Sequence, residues 1–433
     1  MSPGDGLQLR DVGRFFFPLL LNVQLMSLSH SIINGSLARQ EDFVTALASF
    51  SVAMVLHLFV ASPSYQNHTV TIAMVRGRRS LQGTLLFVLL VAGYVSLMLF
   101  LLAYTPVGIF VLGTLLGVNQ AISAGAREVL GILVFLPIFT GLRGFCQGLV
   151  IRARRTGLVS WATGVRIGGL LALLVLGRHW FAGAALGAFA LLGCIIIETA
   201  FMAWFAWRVA LPADGTEEKS TREILRYAFP LAYSSCLQQT IPLLINAILG
   251  RLPDAPLALA AFGVIRGFLF LLAGPMRNLQ QAYLTLVRQE CDYRVLVRFF
   301  YRTSFWMGLI TLLVAFPLNG LVLGQIMGID STLRNYLALP LAVCAFFPLL
   351  YGATNLLRGY FAGAHQTERL GLSTLVKTLF ISCCYPLFVW IPMPVSGIAS
   401  GILLLLGAEL VEAGYLRQQR NRQLALTGRT VPL

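Results

Sequence analysis

The chain has 433 residues, 57% of them hydrophobic and 11% charged. Its mean hydropathy of +0.79 excludes an ordinary water-soluble protein. The formal charge of +15 sits mainly in alternate loops between apolar stretches, which makes it a topology signal and argues against a nucleic-acid partner.

Twelve stretches approach the roughly 20 apolar residues that a helix needs to cross a bilayer core about 30 Å thick. They lie near 14–37, 43–68, 81–103, 127–150, 158–177, 182–207, 223–249, 256–282, 295–316, 335–360, 369–390 and 396–416. Runs such as Leu85 to Leu102 are apolar on all sides, unlike the alternating strands of a membrane barrel. The expected fold is therefore all-α, with twelve membrane helices. The first stretch leads straight into further spans and serves as its own targeting signal. Basic residues at Arg76, Arg78, Arg79, Arg152, Arg154, Arg155, Arg288, Arg294 and Arg417 mark one side as cytoplasmic, and both termini fall on it.

One polar interruption, Leu211 to Thr221, divides the chain. The expected organisation is an N-terminal six-helix lobe at 1–208, a cytoplasmic linker at 209–222, a C-terminal six-helix lobe at 223–420 and a cytoplasmic tail at 421–433. Ser220 and Glu223 have the spacing of a capping box that starts the seventh helix. The lobes are repeats at an offset near 212. Arg14 to Pro18 meets Arg226 to Pro230, Asn34 meets Asn246, Ala46 to Phe50 meets Ala258 to Phe262, and Pro63 meets Pro275. One residue out of phase, Asn119 meets Asp330, Pro137 meets Pro348 and Arg166 meets Lys377, while Glu198 meets Glu412. An even number of spans per lobe makes the repeats parallel, the organisation of a secondary transporter. The shared prolines mark expected bends, since each removes a helical hydrogen bond.

A charge near the bilayer centre costs at least about 2.5 to 3.5 kcal/mol and ordinarily faces a cavity or a partner. Arg143, Arg166, Arg266, Arg277, Arg358 and Lys377 lie in or near spans, against Glu128, Glu198, Glu409 and Glu412. This excess of cations points to a positive cavity and an anionic cargo. Arg166 and Lys377, at matched positions, are candidates either for cargo contact or for ion pairs with Glu198 or Glu412. Arg143, Arg358 and Arg266 are candidates to line the cavity. Asn34 and Asn246 are candidates to hydrogen-bond cargo or neighbouring helices. Glu198 and Glu412 are candidates for proton coupling or charge pairing. Glu128 and Arg277 lie near span ends, where long side chains reach the interface.

The seven cysteines show neither metal-ligand spacing nor pairing in an external loop. No metal, cofactor or disulfide framework is expected. No Walker-type loop argues for direct ATP hydrolysis, and no arrangement of nucleophile, base and oxyanion donors argues for an enzyme.

A two-lobe, twelve-helix chain of this kind resembles the multidrug/oligosaccharidyl-lipid/polysaccharide (MOP, MATE-like) exporter superfamily. Within it, several stretches resemble the progressive ankylosis (ANK) family as a bacterial-type member. They are Glu41-Asp42 with Leu47 to Phe50, Phe135-Leu136-Pro137, Met327 to Asp330, Phe346-Phe347-Pro348, and Ser396-Gly397 through Gly401 to Glu412. The resemblance implies a bacterial inner-membrane exporter of small multivalent anions, with pyrophosphate, nucleotides such as ATP, and citrate as cargo classes. Lys377 matches a basic position of the family and Glu412 an acidic one, whereas Arg166 departs from its animal members, which carry an acidic residue there. The leading expectation is an alternating-access transporter moving an anion through a positive cleft between the lobes, with a proton or sodium ion as candidate coupling ion. A cation-coupled multidrug exporter or a lipid-linked saccharide flippase are the alternatives.

Overall fold

The computed structural model describes residues 7–40, 42–116, 119–208, 218–252, 254–327, 329–390 and 396–427. Glu41, Gly117, Val118 and Gly328, with 209–217 of the expected linker and 428–433 of the expected tail, lie outside the described residues. Every regular element among the described residues is helical. In the first half these are α1 (Leu9–Leu37), α2 (Phe43–Val60), α3 (Asn67–Met74), α4 (Arg78–Tyr104), α5 (Pro106–Ile109), α6 (Gln120–Leu133), α7 (Leu136–Arg152), α8 (Thr156–Gly177) and α9 (Gly183–Trp207). The second half has α10 (Thr221–Leu249), α11 (Ala255–Ala273), α12 (Asn278–Leu286), α13 (Glu290–Ala315), α14 (Ser331–Val343), α15 (Phe347–Gly363), α16 (Thr367–Trp390) and α17 (Gly397–Thr427).

Nine described helices are long and apolar enough to cross a membrane, and two bent helix pairs raise the number to eleven. The other expected span is α10, which is 29 residues long but diluted by Ser234, Ser235, Gln238, Gln239 and Asn246. Breaks fall at two of the repeated proline pairs, Pro63/Pro275 and Pro137/Pro348, whereas Pro18 and Pro230, also expected to mark bends, lie inside the continuous helices α1 and α10. Ser62–Gln66 forms a tight 3-10 turn around Pro63, between α2 and α3, and Gly274–Arg277 does the same around Pro275, between α11 and α12. Proline cannot donate the helical hydrogen bond and its ring crowds the preceding turn. Side chains take up part of the loss, and the Ser62 hydroxyl donates to the Phe59 carbonyl at 2.7 Å. α6 and α7 meet at 46° just before Pro137, and a second short turn, Cys344–Phe346, precedes Pro348.

The helix starts repeat as well. Asn119 caps α6 by accepting the Ile122 N–H at 2.9 Å, and Asp330 caps α14 by accepting the Thr332 N–H at 2.8 Å. Ser80 Oγ accepts the N–H groups of Arg76 and Gly77 at 2.8 and 2.9 Å. In the equivalent place Asp292 accepts those of Arg288 and Gln289 at 3.0 and 3.1 Å. The capping box forms at α10, with Ser220 N–H donating to Glu223 at 2.8 Å and Glu223 N–H donating to Ser220 Oγ at 3.3 Å.

The chain divides into two compact units, Phe17–Cys236 and Met1–Phe16 with Leu237–Leu433. The divisions fall inside α1 and α10. Each leading segment is held by the unit in which it groups. Leu7 N–H donates to Asp292 at the start of α13 (3.3 Å), and Arg79 N–H at the start of α4 donates to Glu218 (3.2 Å).

Each unit has its own apolar core. One includes Ile33, Phe50, Leu99, Leu130, Leu170 and Cys194, and the other Ile245, Phe262, Ile265, Leu337, Ile381 and Ile402. Close helix contacts repeat with them. A Cβ on Gly148 of α7 would stand 2.5 Å from Thr71 Cβ on α3, and one on Gly359 of α15 would stand 2.7 Å from Tyr283 Cβ on α12. Such separations admit only glycine without movement of the neighbour.

Candidate functional site: buried charge clusters

In unit Phe17–Cys236, three helices bring charges together. Glu198 on α9 is fully buried and receives Arg143 of α7 at 2.8 Å and Arg166 of α8 at 3.4 Å, both on Oε2. Its other oxygen lies 2.9 Å from the Thr163 hydroxyl, which is also 2.6 Å from Asn22 Oδ1. Thr163 and Arg166 are three residues apart and so share a face of α8. The Arg166 side chain is 1% exposed and that of Arg143 12%.

The other unit builds the counterpart from the equivalent helices. Arg358 of α15 donates to Glu412 Oε1 of α17 at 3.1 Å and to Thr374 of α16 at 3.0 Å. Lys377 of α16 lies 3.0 Å from Glu412 Oε2 and also pairs with Glu409. The Ser373 hydroxyl donates to Glu412 at 3.2 Å. Gln238 of α10, with its amide oxygen turned inward, accepts from the Arg358 guanidinium. This partly accounts for the polar stretch that sets α10 apart.

The geometry thus groups Arg143, Arg166 and Glu198 in one cluster, and Arg358, Lys377 and Glu412 in the other. Four cations meet three carboxylates, counting Glu409. Burying an ion pair in a low-dielectric region is costly unless hydrogen bonds satisfy the remaining donors and acceptors, and the Thr and Ser hydroxyls meet part of that need. Arg143 and Arg358 differ by a turn in repeat register, yet a guanidinium on either turn reaches the carboxylate two helices on, Glu198 of α9 or Glu412 of α17.

The remaining candidates stand apart. Arg266 is exposed in α11, and no described carboxylate pairs with it. Asn34 is exposed and Asn246 half-buried, and each contributes its backbone carbonyl to the helix end, accepting from Ala38 and Gly250 at 2.9 Å. Glu128 is exposed and Arg277 half-buried. Glu409, Gln238 and the hydroxyls were not among the site residues expected from the sequence. Glu409 was accessible to that reasoning, because it lies one turn before Glu412 and so shares its helix face.

A third polar network lies at the start of α11. Asp254 accepts from the Tyr336 hydroxyl and, at 2.9 Å, from the Gly397 N–H, while Tyr336 Oη accepts the Ile398 N–H at 3.2 Å. Burial works against the charged carboxylate here, but the Tyr336 and backbone hydrogen bonds outweigh it and hold Asp254 below the usual range. Among the described residues no group of His, Cys, Asp and Glu is arranged to hold a metal ion.

With its polytopic helical architecture and repeated broken spans, the chain has the fold of MATE-type transporters of the MOP superfamily. It superposes with a TM-score of 0.74 on a MOP superfamily transporter from Pyrococcus furiosus Vc1 (DSM3638), at 15% identity and 95% coverage of both chains. That protein's binding pocket is described as reversed in polarity, suggesting a different function. An outward-facing multidrug resistance MATE family transporter gives 0.71 at 15% identity, covering 98% of this chain and 97% of its own. A MATE in the bent conformation gives 0.73 at 15% identity, with 96% coverage of each. More particularly, residues 8–177 match the family model Progressive ankylosis protein (ANKH). The fold is thus MATE-like, and the likeness to the ANKH family covers residues 8–177.

Proposed function

We propose that this protein is a secondary-active, alternating-access transporter that exports small multivalent anions, namely pyrophosphate, a nucleotide such as ATP, or citrate. It works in a bacterial inner membrane with both termini cytoplasmic, and a proton or sodium gradient drives it. The observation that carries this reading is Arg266, a residue exposed in part along a helix apolar enough to cross the membrane, with no paired carboxylate among the described residues. A cation held at that cost is retained for a ligand that neutralises it, and the planar fork of Arg suits phosphate and carboxylate oxygens. The match of residues 8–177 to the ANKH family supports the same reading.

The test is uptake of radiolabelled pyrophosphate, ATP and citrate into proteoliposomes under an imposed pH or sodium gradient. Arg266→Gln lowers uptake by tenfold or more, about 1.4 kcal/mol, at unchanged thermal stability, while Glu128→Gln leaves it unaltered. No flux of any of the three anions, or undiminished flux in Arg266→Gln, refutes the reading.

A further inference from the structure

The two charge clusters are built alike but are not balanced alike. Around Glu412 there are two cations, Arg358 and Lys377, and two carboxylates, because Glu409 also meets Lys377. Around Glu198 there are two cations, Arg143 and Arg166, and Glu198 is the described carboxylate that pairs with them. The position matching Glu409, one turn before Glu198, is Ile195, which is buried. The first cluster is therefore one negative charge short. It also has unused donors, since the Nε–H groups of both Arg143 and Arg166 are buried without a hydrogen-bond partner. Both guanidiniums use a terminal nitrogen on the same oxygen of Glu198, which leaves the Nε–H edge of each without an acceptor.

We infer that unit Phe17–Cys236 binds a small monovalent inorganic anion, a halide such as chloride, at the Arg143–Arg166 pair, where it supplies the charge that Glu409 supplies in the other unit. The excess is a single charge, which fits a monovalent ion and not a di- or trianion. The surroundings, with Leu170, Cys194 and Ile195 buried, favour a weakly hydrated ion over a strongly hydrated oxyanion, because desolvation is the main cost of entry. An uncompensated buried cation is the alternative, and it is costly. The halide is a resident counter-ion, separate from the cargo proposed above, and its test does not read transport.

The purified protein is heated in detergent in sodium chloride, sodium bromide or sodium gluconate at equal ionic strength, at a series of halide concentrations. Wild type shows a saturable rise in Tm with chloride and bromide that gluconate does not produce. Ile195→Glu installs the missing carboxylate and gives a protein whose Tm no longer responds to halide. Arg143→Met removes the surplus cation and abolishes the response by the opposite route, which keeps the test decisive if the glutamate variant does not fold. Bromide-soaked crystals show an anomalous peak beside Arg143 and Arg166. Equal Tm of wild type in halide and gluconate, or a halide response that survives in either variant, overturns the inference.

Discussion

Glu198→Gln removes the carboxylate that both guanidiniums of the first cluster share while keeping side-chain size. Removing one partner of a buried pair costs about 3–5 kcal/mol, mostly because the remaining charge is left buried without compensation. Here two charges lose it together, Arg166 at 1% exposure and Arg143 at 12%, so the cost lies at the upper end, about 5 kcal/mol. The matched substitution Glu412→Gln is milder. Lys377 keeps Glu409, and Arg358 keeps Thr374 and Gln238. What goes is one charge-assisted contact to each cation, about 1.5–3 kcal/mol. The assay is denaturant or thermal unfolding in detergent at fixed chloride, read by tryptophan fluorescence, with both variants in parallel. Adding Arg143→Met to Glu198→Gln restores part of the loss, because one of the stranded cations is removed and the two substitutions are coupled. If Glu198→Gln lies within about 0.5 kcal/mol of wild type, or costs no more than Glu412→Gln, the description of Glu198 as the shared counter-ion is wrong.

Asp254→Asn weakens the Tyr336 and Gly397 contacts and costs about 1–2 kcal/mol in unfolding experiments. Because the folded carboxyl titrates below its unfolded value, of about 3.9, its contribution is complete above that value and is lost as pH falls through the folded one; the variant lacks this acid-side loss. Gly359→Val drives a side chain against Tyr283 Cβ at 2.7 Å and Gln280 Cα at 3.2 Å and lowers stability by about 1–3 kcal/mol. Gly93→Val, where nothing lies within 4 Å, leaves the melting profile of the detergent-solubilised protein near wild type. Ser220→Ala removes the α10 cap and costs about 1 kcal/mol, measured the same way.

What could be read from sequence was whatever backbone chemistry dictates locally. Proline removes a helical hydrogen bond, and Pro63 and Pro275 announced the turns that separate α2 from α3 and α11 from α12, although α1 and α10 run on through Pro18 and Pro230. Ser220 with Glu223 announced a helix start for the same reason. The direction of a side chain was not legible in this way. Arg166 and Arg266 both stand within apolar stretches, and the sequence treats them alike. Packing buries the first against Glu198 and leaves the second exposed, because the difference depends on which helix face meets a neighbour. The choice between ion pairs and cargo contacts for Arg166 and Lys377 was open for that reason, and the structure places both on carboxylates.

The same distinction explains why the repeat is faithful in some places and not in others. Caps, breaks and glycine contacts recur at Asn119 and Asp330, Pro63 and Pro275, and Gly148 and Gly359. They satisfy hydrogen-bonding and steric demands that are identical in both halves, and those demands have few solutions. A buried charge has more solutions, because it needs only a nearby opposite charge and enough hydrogen bonds. One half uses two planar guanidiniums converging on a single carboxylate oxygen. The other uses a lysine, whose ammonium can address two carboxylates in different directions. Exchanging Arg166 for Lys would therefore remove one of the two forks from Glu198, and exchanging Lys377 for Arg would impose a planar fork on carboxylates three residues apart on α17. Scaffold symmetry and charge asymmetry thus follow from how many ways each physical demand can be met.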